Sequence, residues 1–126
     1  MKKTLLIALS SFLFINTAFA DDFLSEDEIK ALFTNNSFDV RNEAKGKDFY
    51  GFDNDEGEHF IHNPRKEKTY KTRKWWTEGA THCTSHPKRG DNCKKMKKMG
   101  DGVYHGISDG EHTHTLSNFR AGRDFD

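Results

Sequence analysis

Past its first twenty residues the chain has no apolar run long enough to cross a bilayer as a helix, which excludes a helical span after that point. It has only two cysteines in 126 residues, so one disulfide is the most it can form within itself. It is poor in aliphatic side chains: of the 29 apolar residues in 21–126, 13 are aromatic, and these outnumber Leu, Ile and Val combined. A core is therefore small and packed mainly by rings, each of which buries much area. No internal repeat or low-complexity segment occurs, and the length suits one domain rather than two. No nucleophile-elbow pattern supports a hydrolase, and nothing else in the chain supports an enzyme. The acidic stretch Asp53 to Glu58 begins like a calcium loop. An EF-hand register from Asp53 puts Glu58 where Gly is needed and Pro64 where Glu is needed, so an acidic turn is the better reading.

What is present begins with an export signal. Lys2 and Lys3 form a positive start, Leu5 to Ile15 an apolar stretch, and Ala18-Phe19-Ala20 a small-x-small cleavage site. Residues 1–20 read as a signal peptide, and 21–126 as a single small β-rich domain of formal charge −2, periplasmic or secreted, with no membrane span after cleavage. In that oxidising setting Cys83 and Cys93 are expected to pair across a loop of turn residues.

Ser25-Glu26-Asp27-Glu28 fits a capping box, flanked by Leu24 and Ile29 as a hydrophobic staple, and predicts a short helix over about 25–34. Short period-two runs between Gly, Asp and Asn turns then predict six to eight strands over about 37–119. The expected fold is mainly β with one N-terminal helix, as a small antiparallel meander or barrel-like sheet, and 120–126 is expected to be a loose tail. Charge is segregated: residues 64–98 carry 12 basic and 3 acidic groups, against 4 and 12 in 21–63. Alternating Lys and Arg on strands read as a solvated outer face. Export argues against nucleic acid as the partner.

The order of capped helix Leu24-Ser25-x-x-Glu28-Ile29-x-x-Leu32-Phe33, aromatic strands, tryptophan strand, Cys83, Cys93 and Ser117-Asn118-Phe119 resembles a family of small uncharacterised secreted or periplasmic bacterial proteins. The resemblance spans most of 24–119. It implies a small antiparallel β-structure and an exported location, and brings no catalytic residue with it.

Three constellations carry chemistry. Asp109-Gly110 is the preferred dipeptide of a two-residue type I′ hairpin turn. With an unbroken register His105 faces His114, and His105, His112 and His114 emerge on one face, a workable set for Zn, Ni or Cu. His82, Cys83, His86 and Cys93 hold ligand types that suggest zinc in a reducing compartment, but bridged cysteines offer no thiolate. His59 and His62, three apart, face opposite sides of a strand. Trp75 and Trp76, adjacent in a strand, must point apart and are the candidate aromatic binding face. The function expected is an exported, non-enzymatic β-domain that binds a small ligand or a partner protein and needs no cofactor. The alternative is a periplasmic transition-metal-binding protein built on the hairpin histidines.

Overall fold

Ser25 caps the helix as its sequence requires. Its Oγ accepts from the Glu28 amide at 3.2 Å, and the Glu28 carboxylate accepts from the Ser25 amide at 2.8 Å. The computed structural model describes residues 22–126, apart from the side chain of Thr72; the leader read from residues 1–20 lies outside the described residues. Helix α1 runs Glu26–Phe33 and buries Ile29 and Phe33. Eight strands follow: β1 (Asn36–Asn42), β2 (Lys47–Asp53), β3 (Glu58–Asn63), β4 (Lys68–Thr77), β5 (His82–His86), β6 (Gly90–Gly100), β7 (Val103–Ser108) and β8 (Glu111–Ala121).

Each strand pairs antiparallel with the next, and β1 pairs with β8, closing the sheet into a barrel. The expected ribbon of sequential neighbours is thus present in its closed form, which removes both sheet edges. An eight-stranded barrel is just wide enough for side chains to fill, or to hold one small ligand. Here one layer is filled by side chains and the other is hollow.

The layer under the helix is filled. Phe33 descends from α1 and meets Phe38 and Phe119 edge-on, with both centroid distances 5.2 Å. Leu24, Ile29, Trp75, Met96 and Leu116 complete a core that is ring-rich, as the composition requires. Gly51 makes room for it: a Cβ there would lie 2.4 Å from the Phe38 ring. The chain ahead of the helix is stitched to β6, with the Leu24 amide donating to the Met96 carbonyl at 2.9 Å.

The end of the chain corrects the expectation of a loose tail. β8 runs to Ala121, Arg120 bonds Asp124 and reaches Asp39 at 3.0 Å, and the Phe125 ring stacks against His62 at 5.3 Å. Polar, charged residues close the barrel seam from outside, so a segment with no apolar periodicity is still held.

Candidate binding cavity

The layer away from the helix is hollow, with a volume of about 780 Å³. In an up-and-down barrel alternate loops share an end. The β1–β2, β3–β4 and β5–β6 loops therefore ring one mouth, opposite α1, and bring Lys45, Arg65, Lys66 and Arg89 to it. Inside, strand alternation sorts the lining. Val40, Phe49 and Ile61 from β1 to β3 form an apolar wall, while Arg73, Lys94 and His114 from β4, β6 and β8 line the rest. With Lys47, seven cationic side chains line the cavity, against one described carboxylate, Asp91.

Two of those cations are unusual. The Arg73 Nε is buried and has no hydrogen-bond partner, alone in this among the described side chains. Burial, and then the positive charge of Arg89, lower the pKa of its guanidinium. Lys94 is only 9% exposed. Burial, and then repulsion from Arg73, bring its amine down to about 8. His114 beside it is pushed down to about 4, by burial first and the Lys94 charge second, so it is neutral at pH 7. Buried charges are ordinarily paired, because desolvating one costs several kcal/mol per ion unless something offsets it. Among the described residues this wall holds two positive groups with no carboxylate against either.

The floor is a buried carboxylate between two imidazoles. Asp53 is fully buried on β2; His59 Nδ1 bonds its Oδ1, and His82 Nε2 bonds its Oδ2 at 2.7 Å. The carboxylate accepts both bonds, which places the protons on His59 Nδ1 and His82 Nε2. Burial raises the Asp53 pKa, but the attraction of His59 and the two imidazole bonds outweigh it, and the net shift is downward. Burial holds His82 below the usual histidine range in spite of Asp53. The His82 ring lies flat against Phe33, centroids 3.9 Å apart, so this polar cluster separates the aromatic core from the cavity that His59 and His82 line.

The residues singled out in the sequence fall in three places. Cys83 and Cys93 are direct partners on β5 and β6 and form a disulfide. The histidine set does not assemble. The turn is the expected one, with Ser108 paired to Glu111 and Asp109 and Gly110 both at positive φ. A bulge then shifts the register, so Gly106 rather than His105 faces His114. His114 turns into the cavity, while His105 and His112 stack on one another at 3.6 Å away from it. Parallel stacked imidazoles aim their nitrogens side by side, not at a common point. Among the described residues one group of three ligand atoms lies close enough for a metal, Glu78 with Cys83 and Cys93, and its sulfurs are bridged.

The tryptophans point apart, as expected of neighbours in a strand. Trp75 is 8% exposed, packs in the core and donates to the Asn54 carbonyl at 2.8 Å. Trp76 lies outside and donates to Glu78 at 3.0 Å.

Sequence reasoning missed Arg73, Lys94, Asp53 and His59. A signal for Lys94 was available: it lies two residues from Met96, an obvious core residue, and so shares its inward face. Asp53 follows Phe49 and Gly51 on one face in the same way. No protein-family model, no curated protein and no solved structure matches the chain.

Proposed function

We propose that this domain is an exported binding protein for a small organic anion, an apolar or aromatic body carrying a carboxylate, sulfonate or phosphate. The observation that carries the reading is the buried Arg73 Nε, which donates to nothing, on a half-buried side chain in a cavity where seven cations face one described carboxylate. An anion in this place would accept from Arg73 and Lys94 while its body lay on Val40, Phe49 and Ile61. The volume falls within the range of small-molecule pockets, roughly 300–1,000 Å³, and the closed barrel keeps it largely pre-formed. The exported location, argued from residues 1–20, agrees with a disulfide.

The test is fluorescence titration with 1-anilinonaphthalene-8-sulfonate, an apolar anion, against its uncharged counterpart N-phenyl-1-naphthylamine. A charge-assisted hydrogen bond contributes about 1.5–3 kcal/mol, so Arg73→Met is expected to weaken the sulfonate about 10- to 100-fold and leave the neutral amine unchanged. Equal binding of the two dyes by the native protein, or equal binding of the sulfonate by native and Arg73→Met proteins, overturns the proposal.

A further inference from the structure

Lys94 is placed for more than charge balance. Its stem crosses bare backbone at Gly106, where an added Cβ would meet Lys94 Cδ at 3.1 Å and His114 Cβ at 3.5 Å. Glycine at this point of β7 gives the lysine its path, and His114 flanks it from β8. The titratable groups around it are Arg73 from β4, its register partner His82 from β5, and His114 from β8. None of these is a carboxylate, and among the described residues no ion pair holds the amine protonated. An amine desolvated in a pocket beside a second cation is the arrangement that activates lysine toward carbonyl groups.

We propose that Lys94 forms a reversible imine with an anion that also carries an aldehyde or ketone, the acid group lying at Arg73 and the carbonyl carbon at Lys94 Nζ. This rests on the anion-binding reading and narrows the ligand to carbonyl acids and carbonyl phosphates. The neutral amine adds its lone pair to the carbonyl carbon, the C=O π pair moves to oxygen, and a proton passes from nitrogen to that oxygen. The nitrogen lone pair then closes the C=N bond as the C–O bond breaks, and the departing hydroxide takes the remaining N–H proton to become water. One amine and one carbonyl become one imine and one water, with no oxidant or reductant. With an amine pKa of about 8, about a tenth of Lys94 is neutral at pH 7. At pH 8 that is on the order of a hundredfold more neutral amine than a free lysine has. Neutral His114 adds no second positive charge beside the imine that forms.

The experiment uses pyridoxal 5′-phosphate, an aromatic aldehyde bearing a phosphate, on the folded mature chain. Borohydride then fixes any imine, and peptide mapping locates it. The expected result is one equivalent of label on Lys94, about tenfold ahead of the other lysines, since the lower nucleophilicity of a low-pKa amine offsets part of the gain in neutral fraction. The Lys94 labelling rate is expected to level off above about pH 8, while exposed lysines keep rising toward their ordinary pKa near 10.4. Excess anilinonaphthalene sulfonate suppresses the label, and Lys94→Arg removes it. The native pH profile stands without any variant. Label spread over surface lysines, with Lys94 no faster than they are, overturns the imine. If the sulfonate still binds and still depends on Arg73, only the imine falls. If the sulfonate binds no better than the neutral dye, the anion reading falls with it.

Discussion

Acidification from pH 7 to pH 4 is expected to unload the barrel in a defined order, beginning with the cavity wall. His114 is half-buried, and its pKa is about 4 in the folded protein against about 6.5 in the unfolded chain. Between those values the unfolded chain binds a proton that the folded chain refuses. Stability therefore rises with pH through this window and is lost as pH falls. Burial is the main cause of the shift; after it come Lys94 across from it, Glu43 at the loop after β1, and His112 on its own strand, of which Glu43 alone opposes it. Two and a half pH units at about 1.4 kcal/mol each give roughly 3.4 kcal/mol, and solvent reaching the ring cuts this to about 1.5–2 kcal/mol. His82 is buried, is shifted the same way, and adds to the loss. Asp53 acts later: its folded pKa is lowered, so its contribution is complete above the ordinary carboxylate range and is lost only below that range. The assay is urea unfolding followed by tryptophan fluorescence at several values between pH 7 and 4, on the native protein and His114→Gln. The variant is expected to lose about 1.5–2 kcal/mol less across the window. Parallel losses in the two proteins would refute the assignment of this window to His114.

Three further outcomes follow from the packing. Gly51→Ala drives a methyl into Phe38, which Phe33 and Phe119 hold from two sides; the expected cost is about 1–3 kcal/mol, a fall in Tm of roughly 5–15 °C by calorimetry. An unchanged Tm would mean that the barrel repacks there. Removing the bridge with Cys83→Ser and Cys93→Ser together frees a ten-residue separation in the unfolded chain and is expected to cost about 2–3 kcal/mol, read from the urea midpoint. Asp53→Asn keeps the shape of the floor but offers one acceptor to two imidazoles, for an expected loss of about 1.5–3 kcal/mol at pH 7. No loss would show that the two histidines do not depend on the carboxylate.

The elements of the fold were legible because each has a local cause. The Ser25 to Glu28 capping box closes as written, Asp109-Gly110 makes its two-residue turn, and period-two runs become strands. The cysteines meet because they flank a tight β5–β6 turn. What was not legible depends on single-residue irregularities and on closure. One bulge after Gly106 changes which histidine faces the cavity, and nothing in His112-Thr113-His114 marks which residue will be the extra one. Closure through β1 and β8 is a long-range pairing with no local signature, and only closure makes an inside for Lys94 and Arg73 to face.

That last point explains the misreading of the basic segment. Alternating Lys and Arg on a strand reads as one wet face and one dry face, and in a sheet with a filled core this holds. Around a hollow barrel both faces carry polar groups. Lys95 and Lys97 lie outside over the Phe23 ring, whereas Lys94 lies within. The alternation is the same, but the chemistry of the two sets differs. The outer cations are solvated and cost little. Of the inner ones Lys94 is desolvated and Arg73 half-buried, the two repel one another, and Lys94 sits where Gly106 has given up its side chain to admit it. A folding requirement alone would favour apolar residues at these positions, since a core of the same volume without charge is as stable or more so. On the anion-binding reading, Arg73 and Lys94 are kept for a ligand, and an anion between them would relieve part of the repulsion that holding two cations together costs.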